Sequence, residues 1–194
     1  MNEPMQIDHD AFMRLIDDKR LKMLQVIHLA VPFGVLIFTL LVVFLYLQIE
    51  CPGNDSATSA APIPLLTLMH AIIGLVCFTA GQLLYNRLSG PRGSQRQIKL
   101  LSSMKLSEEE ICFRAIFTAT IFRLALFEGA AIFGLIICLI AALSGILSRY
   151  PIYWLNTFSV VMLIVLVAVT FPTRSRIESL FLSRFTDKTP FNSL

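Results

Sequence analysis

Long apolar stretches separated by short polar segments are the main pattern along the chain. A helix needs about 20 residues to cross a hydrocarbon core of roughly 30 Å, and four stretches are long enough: 23–49, 64–88, 126–147 and 151–171. Prolines and glycines stand at several of their ends, where they terminate helices. The pattern predicts an all-α integral membrane four-helix bundle, with residues 23–172 as its transmembrane domain.

The third stretch predicts a helix that is longer than the membrane is thick. Ser107 followed by Glu110 has the form of an N-terminal capping box, and the apolar run continues to Leu147. About 40 residues at 1.5 Å per residue give roughly 60 Å, twice the core thickness. We therefore expect residues 108–125 to form a cytoplasmic helical extension, with a bend near Gly129.

The two ends of the chain mix charged and apolar residues. The leader, residues 1–22, predicts either a helix at the cytoplasmic interface or a polar extension of the first span. In the tail, residues 173–194, the apolar residues of one helical face lie beside arginines; they are Ile177, Leu180, Phe181 and Phe185. We expect this face to lie on the anionic lipid leaflet.

Composition supports a membrane location and excludes several classes of protein. Of the 194 residues, 56% are apolar and 15% are charged, whereas soluble domains carry about 25% charged residues. The net charge of +3 is small and the basic residues are scattered, so nucleic acid is not expected as a partner. The four cysteines lack the paired spacing of zinc or redox sites. We expect no metal and no cofactor.

The distribution of Lys and Arg predicts how the spans face. Cytoplasmic loops carry the excess of these residues. They are concentrated in the leader, in the second loop and in the tail, whereas the first loop has none and the third has only Arg149. Both termini and the second loop are therefore expected on the cytoplasmic side of a cell (inner) membrane.

Four polar residues are expected at one depth, near the cytoplasmic ends of the spans. If Arg149 marks the outer end of the third span, Glu128 lies near its inner boundary. His28, Gln82 and Thr170 fall at a similar level, and Arg123 is expected in the headgroup region. His28, Gln82 and Arg123 supply the hydrogen-bond donors that a carboxyl group needs there. This candidate polar cluster either joins helices or carries a proton or an ion.

Two further groups of residues are expected to hold helices together. His70 and Asn156 lie nearer the outer side, where polar side chains join helices by hydrogen bonds. Small residues on the second and third spans permit close approach of their backbones into a tight hairpin. These small residues are Gly74, Gly81, Ala125, Gly129 and Gly134.

The segment 120–136 carries a family resemblance. It reads Thr-Ile-Phe-Arg-Leu-Ala-Leu-Phe-Glu-Gly-Ala-Ala-Ile-Phe-Gly-Leu-Ile, and it resembles the carboxylate-bearing helix of rotor-ring proteolipids of ATP synthases and vacuolar-type ATPases. The resemblance implies that Glu128 is an ion carrier. The four-span pattern also resembles small bacterial membrane proteins with an Ala-Leu-x-Glu-Gly helix, which implies no activity.

The motifs of common enzyme classes are missing from the sequence. It has no phosphate-binding glycine loop, no HExxH and no nucleophile elbow. We expect a non-enzymatic multi-pass membrane protein, a small accessory or structural subunit whose partners are the lipid bilayer, copies of itself or other membrane subunits. The alternative is proton or cation translocation through Glu128. A third possibility, a small-molecule exporter, requires a substrate cavity or a dimeric arrangement.

Overall fold

A computed structural model describes residues 9–48, 62–90 and 107–183, and these residues are almost entirely helical. The helices are α1 (His9–Leu15), α2 (Asp18–Gln48), α3 (Pro62–Leu88), α4 (Glu108–Leu143), α5 (Ile146–Arg149), a 3-10 helix (Pro151–Thr157), α6 (Phe158–Thr170) and α7 (Arg174–Phe181). The first loop, most of the second loop and the end of the tail lie outside the described residues.

Four helical segments are long and apolar enough to cross a membrane, as the sequence predicted. They are α2, α3, α4 and the continuous segment Pro151–Thr170. Many of their large apolar side chains are exposed, among them Leu40 and Leu75. In a water-soluble protein so many exposed apolar residues would be unusual, whereas lipid solvates them. The chain therefore has the architecture of an all-α multi-pass membrane protein.

The leader contains a short helix and a polar extension of the first span, and a position of the short helix at the membrane interface stays a prediction. α1 is a separate short helix, and α2 then begins at Asp18 rather than at residue 23. Asp17 starts α2, because its carboxylate accepts a hydrogen bond of 2.8 Å from the backbone N–H of Arg20. This is the usual role of an acidic N-cap residue.

α4 is the predicted long third helix. It begins where the sequence predicted, but it ends earlier than predicted. The Ser107 hydroxyl accepts a hydrogen bond of 3.3 Å from the backbone N–H of Glu110, which confirms the Ser107 half of the predicted capping box. The Glu110 carboxylate instead accepts from Arg20 and Arg114. The helix is unbroken through Gly129 but ends at Leu143, not at Leu147. Gly145 has a left-handed backbone with φ of 69°, a conformation that glycine adopts readily and that ends helices.

The described chain divides into two compact units, and the divisions fall inside the long helices. The first unit contains residues 9–27, 82–90, 107–123 and 171–183. The second contains residues 28–48, 62–81 and 124–170. The helical extension of α4 thus belongs with the leader and the tail.

The first unit has its own apolar core, built from three distant parts of the chain. The Phe12 ring of α1 stacks on the Phe181 ring of α7, with centroids 4.1 Å apart, and Cys112 of α4 is buried in the same cluster. Ile177 and Phe181 are therefore covered by protein. The expectation that these two residues lie on the lipid leaflet is wrong, because α1 and α4 bury the same helical face.

Polar contacts join the same parts of the first unit. Arg20 and Arg114 each donate to the Glu110 carboxylate, at 2.8 and 3.2 Å, and the His9 ring approaches the Glu178 carboxylate at 3.3 Å. The predicted cytoplasmic extension is thus covered by the leader and the tail.

The second unit is a four-helix bundle. It is built from parts of α2, α3 and α4 together with the segment Pro151–Thr170. Two apolar clusters form its interior. One centres on Leu135 and Leu163, and the other centres on Ile137 and Leu147.

Candidate functional site

The interior of the second unit contains a polar group centred on His70. This histidine lies on α3 and only 7% of it is exposed. Its Nδ1 is 3.1 Å from Oδ1 of Asn156, and its Nε2 is 3.1 Å from both the Ala130 carbonyl oxygen and the Ser159 hydroxyl oxygen. The hydrogen bond with Asn156 confirms that these two residues join helices, as the sequence predicted.

Asn156 is held in one orientation, and this determines which His70 nitrogen carries hydrogen. The Asn156 amide nitrogen donates to the Thr67 hydroxyl at 3.1 Å and to the Tyr153 carbonyl at 2.9 Å. The amide oxygen must then face His70. Because that oxygen only accepts hydrogen bonds, Nδ1 of His70 is the donor.

The other side of the His70 ring has more acceptors than donors. In a neutral imidazole with hydrogen on Nδ1, Nε2 accepts, and the Ser159 hydroxyl is the donor that faces it. The same hydroxyl also lies 3.4 Å from the Ala130 carbonyl and 3.3 Å from the Asn156 carbonyl. One hydroxyl hydrogen therefore faces three acceptors, and one of them, the Ala130 carbonyl, already accepts a backbone N–H within α4.

Gly134 makes room for this polar group. A Cβ atom at this position would overlap the Asn156 carbonyl oxygen and lie 2.8 Å from two atoms of the His70 ring. The predicted packing role of Gly134 is supported by this close approach. At Gly74 and Gly129 a Cβ would meet no atom within 4 Å among the described residues, so a packing role at these glycines stays a prediction.

The remaining predicted packing residues differ in their exposure. Gly81 is buried, whereas Ala125 is exposed on α4.

A cavity of about 480 Å³ lies beside the polar group, within the second unit. Its wall is mainly apolar and includes the rings of Phe78, Phe127 and Phe158, and His70 and Ser159 also contribute to it. Small-molecule sites commonly have volumes of about 300–1,000 Å³ and a few polar groups on an apolar wall. No pattern in the sequence predicted this cavity.

The predicted polar cluster of Glu128, Arg123, His28 and Gln82 is divided between the units. Glu128 and His28 belong to the second unit, whereas Arg123 and Gln82 belong to the first. The cluster therefore stays a prediction.

Within its own unit each of these four residues has a defined environment. His28 is buried. Glu128 is half-buried and makes no hydrogen bond or ion pair within the described part of its unit. Gln82 is exposed, and the guanidinium carbon of the buried Arg123 lies 3.9 Å from the Tyr85 ring centroid. That distance is typical of a cation–π contact.

Sequence reasoning missed Thr67 and Ser159, which complete the His70 group. Thr67 precedes His70 by three residues, and Ser159 follows Asn156 by three. Residues three apart share a helical face, so this spacing was the available signal. Across the described ranges, no group of three His, Cys, Asp or Glu residues is arranged to hold a metal ion.

Comparison with known proteins adds no relative. No family model, no curated protein and no solved structure matches this chain. A proposal for its function therefore depends on the residues and the geometry described above.

Proposed function

We propose that the protein is a non-enzymatic accessory or structural subunit of a membrane assembly, and that it binds its partner through one face of α4. Ala125 and Gly129 lie one helical turn apart on this face, and both are exposed. The same face continues toward the end of the helix with the exposed Ile136 and Ile140. Within a bilayer, exposed small residues at this spacing favour close contact with a second helix.

Glu128 is the observation that carries the proposal. It lies at the edge of the same face, because residues 125, 128 and 129 are within about one turn of each other. A half-buried carboxyl group without a hydrogen bond in its own unit is costly inside an apolar helix. A partner that supplies a donor there would remove this cost.

The matched variants Gly129→Leu and Gly34→Leu test this proposal. A Cβ at either glycine meets no atom within 4 Å, so both chains should fold. Gly129→Leu is expected to abolish chemical cross-linking of the protein to its partner in native membranes, whether that partner is a second copy or another subunit. Gly34→Leu should leave the cross-links unchanged. Cross-links that survive Gly129→Leu would contradict the proposed interface.

Proton or cation translocation through Glu128 is the second candidate function. The favouring observation is the same carboxyl group, since ionisable residues in membrane spans commonly mark ion pathways. The resemblance of residues 120–136 to rotor-ring proteolipids also favours it. Flux of protons or sodium into liposomes should be lost in Glu128→Gln under this proposal, and flux that survives the substitution would remove it.

We also propose that both termini face the cytoplasm of a cell (inner) membrane, on the basis of the distribution of Lys and Arg. Cys51, in the first loop, should then react with a membrane-impermeant thiol reagent added from outside. Replacing the other three cysteines by serine makes the measurement specific. Labelling of Cys51 only from the cytoplasmic face would reverse the proposed orientation.

A further inference from the structure

We propose that the cavity beside His70 binds an apolar molecule that carries one hydroxyl group and that enters from the bilayer. This inference is independent of the α4 interface, because it concerns a different surface of the second unit. Three features of the site carry it: the volume and lining of the cavity, its access from lipid, and the excess of hydrogen-bond acceptors on its wall.

The lining indicates a ligand that is mostly apolar. The cavity has a volume of about 480 Å³ and the rings of Phe78, Phe127 and Phe158 contribute to its wall. Aromatic rings pack well against a planar ring or an alkyl chain. The carboxylate of Glu128 is not among the residues of this wall, so the described cavity offers little to a charged ligand.

The cavity is accessible from the apolar phase. Leu75 and Phe158 belong to its wall and are 68% and 62% exposed. Both lie on segments that are long and apolar enough to cross a membrane. A molecule dissolved in the bilayer therefore reaches the cavity without passing through water.

The polar atoms of the cavity wall accept hydrogen bonds, so they favour a ligand that donates one. Ser159 has a single hydroxyl hydrogen, and Nε2 of His70 and two backbone carbonyl oxygens lie within 3.4 Å of its oxygen. When Ser159 donates to His70, its own oxygen remains an acceptor. A ligand hydroxyl donates a hydrogen bond to the Ser159 oxygen, whereas an ether or a hydrocarbon has no hydrogen to donate.

Hydrogen bonds hold the polar side chains of the site in place before a ligand binds. Asn156 is anchored by Thr67 and the Tyr153 carbonyl, and it orients the His70 ring through Nδ1. A group whose orientation is already set loses less entropy on binding than a mobile one. This favours selection of one ligand chemistry over another.

The experiment compares para-hexylphenol with its methyl ether, para-hexylanisole. Saturable binding of each compound is measured to the full-length protein in lipid nanodiscs and corrected for partitioning into protein-free nanodiscs. One net hydrogen bond of ordinary strength corresponds to about a fivefold to tenfold change in affinity. We expect the phenol to bind more tightly than the ether by this factor.

Gly74→Leu and Gly34→Leu serve as the matched pair of variants. Gly74 is part of the cavity wall and a Cβ there meets no atom within 4 Å, so a leucine side chain extends into the cavity without a clash at its base. Gly34 is equally open but is not part of the wall. Gly74→Leu should lower the affinity for the phenol at least tenfold, and Gly34→Leu should leave it unchanged. Ala71→Leu narrows the same cavity and replaces Gly74→Leu if that chain does not fold.

Four results would overturn the proposal. They are the absence of saturable binding, equal affinity for phenol and ether, tighter binding of the ether, and binding that both Gly74→Leu and Ala71→Leu retain. Equal affinity would mean that the cavity selects only for apolar volume. Tighter binding of the ether would mean that the wall donates a hydrogen bond rather than accepts one.

Discussion

Replacing Gly134 by alanine tests whether close approach at this residue holds the His70 group together. The added methyl group would lie 2.8 Å from two His70 ring atoms, whereas ordinary contacts of a Cβ begin at 3.4 Å. It would also overlap the Asn156 carbonyl oxygen. This is a backbone atom, so it cannot avoid the methyl group by a change of rotamer. Both the 3-10 helix and the His70 ring must therefore move away from α4.

The cost of this movement has two parts. Overpacking of a filled interior costs about 1–3 kcal/mol, and a weakened hydrogen bond between His70 and Asn156 adds about 1 kcal/mol. We expect Gly134→Ala to lower the free energy of unfolding by about 2–4 kcal/mol. Gly129→Ala is the control, because its methyl group meets no atom within 4 Å. Alanine has the higher helix propensity, so the control should be neutral or more stable by up to about 1 kcal/mol.

Trp154 provides the signal for this measurement. It is the only tryptophan of the chain and lies in the 3-10 helix, two residues before Asn156. Unfolding in mixed micelles, followed by its fluorescence, gives the free energy for both variants. Equal stability of Gly134→Ala and Gly129→Ala would refute the reasoning, because the first variant would then fit without any displacement.

Two predictions concern the first unit. Phe181→Ala should destabilise this unit by about 3–5 kcal/mol, because the ring is fully buried against Phe12. Hydrogen exchange of α7 measures the change, and Leu182→Ala, at an exposed position, should have little effect. Glu110→Gln removes the charge from two ion pairs whose arginines are partly exposed, so a loss of only about 1 kcal/mol is expected. Chemical unfolding should distinguish it from Glu108→Gln, an exposed control, and equal stability of the two would contradict a role for the pairs.

The four membrane-spanning segments were predictable because each depends on local information. Apolar length alone identifies a span, and the Ser107 cap needs only residues one turn apart. The end of α4 was missed because the apolar run continues past Gly145 to Leu147. Glycine occurs both within membrane helices and at helix ends, and a sequence does not show the sign of φ.

Other features were not predictable because they depend on contacts between distant parts of the chain. An amphipathic helix such as α7 buries its apolar face equally well against lipid or against protein, and only the fold shows that Phe12 covers Phe181. The cavity arises from side chains of three helices and a 3-10 helix. The sequence of any one of these helices does not show how much space the other helices leave beside it.

The core of the first unit has a consequence for biosynthesis. Phe181 completes a cluster that Phe12 begins, so the ribosome must translate α7 before that cluster can close. Until then, apolar side chains of α1 and α4 remain accessible to chaperones and proteases. A nascent chain that stops before α7 would keep this surface exposed, which distinguishes it from a chain that has closed the cluster.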